Sequence, residues 1–322
     1  MAIARLADID LHYMQFPAAA RPGVASADMV MIHGLAASSA FWYGAGAPRL
    51  SQFGRVTLYD LRGHGRSEAP PDGYSTATMS RDLEELLDEL GIVRAHLIAH
   101  SFGGLVALRF ALRNPERVAS LVLEDVRGGS VSARAGWPLR TARMMAATRG
   151  GAADPERSIK SLADGVAYLE KLARQRLHDR DHGDSPAHQG RAGAGPSRFF
   201  GLRSARRWLD LLEHTTLRAD TRNEQPLTRP ELRTIARPAL VLVGKKSSTL
   251  SSCRTVARQI PGAVLKEIPD AGHFFPITRP ARFLRPTARF LRRAVIAGGA
   301  DEPGPRNRFA IAGVPLPVVH RA

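Results

Sequence analysis

At 322 residues the chain is long enough to bury a full core, and its length allows one large domain or two small ones. Its 44% hydrophobic and 24% charged residues match an ordinary globular protein, and the single cysteine, Cys253, excludes an internal disulfide and a cysteine-based metal site. The formal charge of +16 invites a nucleic-acid or anionic-surface partner, yet the lysines are only Lys160, Lys171, Lys245, Lys246 and Lys266, so the excess is an arginine-rich surface.

The N-terminal run "MAIARLADIDLHYMQF" carries Asp8 and Asp10 where a signal peptide needs an unbroken apolar stretch. No later run approaches the roughly 20 apolar residues of a membrane span. The reading is therefore a cytoplasmic protein with no membrane span, and residues 3–16 are expected to add an antiparallel edge to a sheet. Short apolar runs follow: "DMVMIHG" (28–34), "RVTLYDLRG" (55–63), "AHLIAHS" (95–101), "ASLVLED" (119–125), "PALVLVG" (238–244) and "AVLKEIP" (263–269). Between them "SRDLEELLDELGI" and "GLVALRFALRNP" place apolar residues at three- and four-residue spacing, which predicts helices. Alternating strand and helix predicts an α/β fold, a mostly parallel, doubly wound sheet with helices on both faces.

From 131 to 232 no buried strand is visible. "SIKSLADGVAYLEKLARQRL" reads as an amphipathic helix and "HDRDHGDSPAHQGRAGAGPS" as a polar, Gly- and Pro-rich loop. "RFFGLRSARRWLDLL" (198–212) interleaves aromatics with Arg as single-strand binders do, but Leu202, Trp208, Leu209, Leu211 and Leu212 also form one apolar stripe of a helix, and the expectation is no nucleic-acid partner. The block divides the chain into 1–130, an inserted helical segment 131–232, a second core segment 233–297 and a disordered tail 298–322.

The most specific signal is "LIAHSFGGLVALRFAL". A strand runs straight into Ser101, a helix follows, and the small Ala99 and Gly103 stand two positions either side. A nucleophile on so sharp a turn needs small neighbours for the turn to close, and the helix N-terminus aims N–H groups at charge developing beside it. Here the sequence resembles the α/β-hydrolase superfamily, whose elbow is Gly-x-Ser-x-Gly; Ala99 departs from that pattern while staying small. The resemblance extends to "HGLAASSAFW" (33–42), "YDLRGHGRSEAP" (59–70), "NPERVASLVLED" (114–125) and "IPDAGHFFPITRP" (268–280), and so covers the core on both sides of the insertion.

The resemblance implies Ser101 as nucleophile, His273 as general base, and an oxyanion hole from the backbone N–H groups of Leu35 and Phe102. It implies that the insertion is a lid and that no cofactor or metal is needed. His100, by strand alternation, is expected to point away from the nucleophile. His178 and His182 flank two aspartates at a spacing that can hold a metal, but no third ligand is signalled. The family's usual acid follows the "VLVG" strand, and here "KKSSTLSS" supplies none. Three accounts stand open: an acid at the end of the preceding strand, Asp125 or Glu124; a Ser–His dyad oriented by Ser247 or Ser248; or a fold whose chemistry has been lost or changed. The candidate substrate-contacting aromatics are Trp42, Trp137 and Trp208, and Met144, Met145, Phe199 and Phe200 extend the apolar wall. The expectation is a small to medium hydrophobic ester, thioester or lactone; the alternative is a non-hydrolytic cyclase, isomerase or binding protein. Sequence says nothing of oligomeric state.

Overall fold

A computed structural model of the chain describes residues 2–19, 27–127, 159, 161–181 and 201–298. Each apolar run forms a strand: β1 (Ala2–Arg5), β2 (Asp10–Phe16), β3 (Ala27–Ile32), β4 (Gly54–Tyr59), β5 (Ala95–His100), β6 (Val118–Glu124), β7 (Ala239–Gly244) and β8 (Val264–Ile268). They build one sheet in the order β1-β2-β4-β3-β5-β6-β7-β8. From β4 to β8 neighbours pair in parallel, whereas β1–β2 and β2–β4 are antiparallel, as expected for the N-terminal edge. The chain steps outward from β3 to β4 and back across to β5, so the strand order switches there; open α/β sheets bind ligands beyond the strand ends at such a point.

Alternation along the buried strands sorts their side chains between two cores. Val30, Ile32, Leu97 and Ala99 face one, covered by α2 (Thr76–Glu89), α3 (Phe102–Arg113) and α8 (Leu250–Gln259). Met29, Met31 and Ile98 face the other, closed by α1 (Ser39–Gly44) and α10 (Pro280–Gly298). Helix α2 starts where Ser75 accepts the N–H of Thr78, a cap worth about 1 kcal/mol, and buries Met79, Leu83, Leu86 and Leu87 at helical spacing.

Between β6 and β7 the described residues are helical: α4 (Leu162–Asp181), α5 (Leu202–His214), α6 (Leu217–Arg222) and α7 (Arg229–Arg233). Trp208, Leu211 and Leu212 of α5 join the core, while Arg203 and Arg206 stay exposed, so the 202–212 stripe reads as a packed helix face. The helices are tied down by specific bonds. The Tyr74 N–H donates to Asp220 Oδ2 at 2.8 Å, the Thr76 N–H to Glu224 Oε2 at 2.8 Å, and Arg109 pairs with Glu224 at 3.3 Å. Trp137, Met144, Met145, His182, Phe199, Phe200 and the tail from 299 onward lie outside the described residues. No helix among the described residues is long and apolar enough to cross a membrane.

Candidate active site

The turn from β5 into α3 holds Ser101 at φ 53°, a left-handed conformation that costs a non-glycine residue of order 1–3 kcal/mol. Packing enforces it. The Ser101 N–H donates to the Glu124 carbonyl at 2.9 Å, and the Gly104 N–H donates to the Ser101 carbonyl at 3.0 Å. Gly103 lets α3 begin this close: a Cβ there would lie 2.4 Å from the His33 carbonyl oxygen and 2.7 Å from that of Ile32. The small residue read from the sequence is thus a close approach of helix to strand.

His273, on the loop after β8, brings Nε2 to 3.1 Å from Ser101 Oγ. On its other side Nδ1 lies 3.7 Å from Asp125 Oδ1, ion-pair range and longer than a hydrogen bond. Such contacts are often long in empty sites and tighten around a reacting substrate. Asp125 leaves the end of β6 at φ 46° and is fully buried. Its Oδ1 accepts from Thr249 Oγ1 at 2.6 Å and its Oδ2 from the Gly244 N–H at 3.3 Å. The "SSTLSS" cluster that lacks an acid therefore holds one from the neighbouring strand. Ser247 bonds Thr249 at 2.9 Å, and Ser248 accepts from Arg127 at 2.8 Å; neither bonds His273.

Glu124, one residue earlier, faces the other way. Its Oε2 lies 3.3 Å from His100 Nε2, and burial, reinforced by neighbouring Asp125, pushes its carboxyl well above the usual range. His100 corrects an expectation. It does share the Ile98 face and stacks on Phe41 with ring centroids 4.4 Å apart, but it is not remote from the chemistry. The strand ends beneath the His273 loop, so its Nε2–H reaches the His273 carbonyl at 3.2 Å, the two rings sit 4.7 Å apart, and the side chain lines the Ser101 cavity. Burial holds its imidazole neutral.

His33 has a structural role: Nδ1–H donates to the Gly34 carbonyl at 2.7 Å and Nε2 accepts the Leu61 N–H at 3.0 Å. Asp60 likewise serves the turn, accepting from the Ser39 and Arg66 N–H groups and pairing with His12 at 2.8 Å. Leu35 and Phe102 flank Ser101 in the cavity wall, and neither N–H meets an acceptor among the described residues.

A cleft over Ser101 takes in ≈ 630 Å³ of space, part of it open to solvent. Leu162, Gly165, Tyr168 and Leu169 of α4 form one wall, opposite Phe274. Two of the aromatics singled out from the sequence stand elsewhere. Trp42 is fully buried on the α1 side, against Phe41 and Phe283, because its position on α1 points it into the core. Trp208 lines a separate cleft beside His64. Thr249, His100 and Arg127 were not foreseen at the site; only the run of hydroxyls hinted at Thr249. His178 is exposed, and no three His, Cys, Asp or Glu side chains cluster as a metal site among the described residues.

The family model of the alpha/beta hydrolase fold matches residues 29–149. The chain is 32% identical to 2-hydroxymuconate semialdehyde hydrolase of Pseudomonas putida over 258 residues, 78% of this chain and 82% of that protein. Identity to a RutD protein of Variovorax paradoxus reaches 47% over 103 residues, 31% of this chain and 39% of that relative, so this match spans under half of the relative's length. Among solved structures, the enol-lactonase of Burkholderia xenovorans superposes with a TM-score of 0.59 at 25% identity, covering 90% of this chain and 100% of that one. Fold, strand order and these likenesses agree: the chain belongs to the α/β-hydrolase superfamily.

Proposed function

We propose that the protein is a serine hydrolase that cleaves a small to medium hydrophobic ester, thioester or lactone through an acyl-enzyme on Ser101. The observation that carries the reading is His273, with Nε2 at 3.1 Å from Ser101 Oγ and Asp125 buried behind Nδ1. His273 Nε2 takes the hydroxyl proton as Oγ attacks the carbonyl carbon, and later returns it to the leaving oxygen or sulfur. Asp125, its carboxylate fixed by Thr249 and Gly244, stabilises the imidazolium that forms. The Leu35 and Phe102 N–H groups receive the oxyanion, helped by the N-terminus of α3. Water, activated by the same histidine, then releases the acid. The chemistry calls on no cofactor. In this reading the helices between β6 and β7 act as a lid, and the apolar wall from α4 favours hydrophobic acyl or alcohol groups.

One observation favours a second reading. His273 Nδ1 lacks a hydrogen-bond partner at 3.7 Å from Asp125, as it would in a non-hydrolytic protein of this fold that uses the cavity only to bind or mould a ligand. Intact mass after exposure to a fluorophosphonate separates the two. The hydrolase reading expects one adduct per chain, absent in Ser101→Ala and strongly slowed in His273→Ala; a folded wild type that takes no label overturns it.

A further inference from the structure

On the far side of the 36–37 turn from Ser101, α5 and the Gly-rich turn after β4 border a second cleft of ≈ 390 Å³, part of it open to solvent. Ala37 lines both spaces, so the two are neighbours across the segment that carries the Leu35 N–H. The cleft is rich in donors, and no carboxylate among the described residues lines it. Arg203 makes no hydrogen bond or ion pair among the described residues. Arg207, one turn further along the same face, holds the Gly63 carbonyl through Nε at 3.0 Å and the Ser67 carbonyl through a second nitrogen. Two like charges at this spacing repel unless something neutralises them. Helix α5 also begins here, at Leu202, with no side chain capping its first turn, which leaves N–H groups and the positive end of the helix at the cleft.

Two residues of the lining carry buried polar atoms. Trp208, 1% exposed, has an Nε1–H with no partner, and His64, 3% exposed, has an unpartnered Nε2. Their rings are 5.9 Å apart. Because His64 Nδ1 lies 2.9 Å from the Arg62 carbonyl, that nitrogen carries the proton and donates, and Nε2 is a bare acceptor. Burial keeps the ring neutral, its pKa pushed down to about 3. Buried groups of this kind are ordinarily satisfied in proteins, by the chain, by water or by a ligand, and each exception calls for an explanation. The partner defined here accepts several donors, bears negative charge, and offers one O–H.

We propose that this cleft is a binding site for a phosphate group, with its oxygens on Arg203, Arg207 and the Trp208 indole N–H and its remaining hydroxyl donating to His64 Nε2. A phosphate keeps a proton near neutral pH; a carboxylate or sulfate does not, and would set a lone pair against the lone pair of His64. The group comes either as inorganic phosphate or as a phosphate monoester. The site is independent of what Ser101 does.

The test is calorimetric titration of the full chain with inorganic phosphate, glycerol 3-phosphate and sulfate. It is run at constant ionic strength and about pH 6, where a monoester still carries its second proton on about half the molecules. Saturable binding of either phosphate ligand at one site, about tenfold tighter than sulfate, is expected, and the tighter of the two identifies the source. Arg203→Gln, an exposed position whose change leaves the fold intact, should weaken it about tenfold, and Trp208→Phe should remove the accompanying change in tryptophan fluorescence. Arg289→Gln, on the exposed face of α10, should leave it unchanged. Sulfate binding as tightly as phosphate, equal losses in Arg203→Gln and Arg289→Gln, or no saturable binding would each overturn the assignment.

Discussion

Replacing Asp125 by Asn tests whether an acid from β6 completes the site. The carboxylate lies 3.7 Å from His273 Nδ1. Unit charges at that separation interact by about 4.5 kcal/mol at an effective dielectric near 20, so loss of the charge against the imidazolium should slow acylation by roughly a thousandfold. The amide adds a second penalty. Both carboxylate oxygens accept protons, from Thr249 Oγ1 and from the Gly244 N–H, and an Asn must turn its NH2 toward one of those donors or toward His273 Nδ1–H. The rate of fluorophosphonate labelling and kcat for a p-nitrophenyl ester are compared for wild type, Asp125→Asn and Glu124→Gln, with a thermal melt on each to confirm folding. The expected result is a loss of about three orders of magnitude in the first variant and less than about tenfold in the second, whose carboxyl faces His100 and is raised by burial. An Asp125→Asn protein that stays within tenfold of wild type, or a larger loss in Glu124→Gln, refutes the assignment.

Thr249→Val keeps the shape and removes the 2.6 Å bond to Asp125; a hydrogen bond to a charged group is worth about 1.5–3 kcal/mol, so kcat should fall by about ten- to a hundredfold with KM little changed. An unchanged kcat would show that Thr249 does not hold the acid. Gly103→Ala drives a methyl into the backbone oxygens of His33 and Ile32, which cannot turn aside, and should cost about 2 kcal/mol or more, seen as a Tm roughly 5 °C lower; an unaltered Tm contradicts the close approach. Acid should destabilise the protein. His33, His64, His96 and His100 are buried and held below the ordinary 6.5, His64 to about 3 and His96 to about 4. Below about pH 6.5 the unfolded chain therefore binds protons that the native state refuses, and stability drops by up to about 1.4 kcal/mol per pH unit for each ring. Glu124 and Asp82, raised by burial, act in the opposite sense, losing stability as pH rises from their ordinary values, but the histidines outnumber them. Melts between about pH 7.5 and 5 should show Tm falling with acid, and a flat profile would contradict this balance.

Strand identity was legible because buried parallel strands are runs of apolar residues, and each predicted run matches an observed strand to within a few residues. The elbow was legible for a different reason: a strained turn demands small residues at fixed offsets, so Ala99 and Gly103 write its geometry into the sequence. Three accounts of the acid stood open in the sequence: a Ser–His dyad, lost or changed chemistry, or a carboxylate at the end of β6, where Asp125 and Glu124 were the two candidates. What separates them is pairing across strands. Because β6 lies beside β7, Asp125 meets Thr249 and Gly244, residues over a hundred positions away, and no local pattern encodes that contact. His100 shows the same limit from another side. Alternation gave its face correctly, but the His273 loop that folds back over it belongs to the last part of the chain. The roles assigned to Trp42 and Trp208 rested on residue type alone, and type does not distinguish an aromatic that seals a core from one that meets a ligand.

Asp125 stands two residues before Arg127, whose guanidinium grips the Ile159 carbonyl at 3.0 Å and Ser248 Oγ at 2.8 Å, just ahead of α4. The carboxylate behind His273 thus sits at the root of the segment that leads to α4, with Arg127 as a tether between the two. An acid after β7 would be anchored wholly in the sheet; one after β6 is tied, through Arg127, to the chain just ahead of α4. A substitution in α4 then has a path, through Ile159 and Arg127, to the carboxylate beside His273 that a β7 acid would deny it.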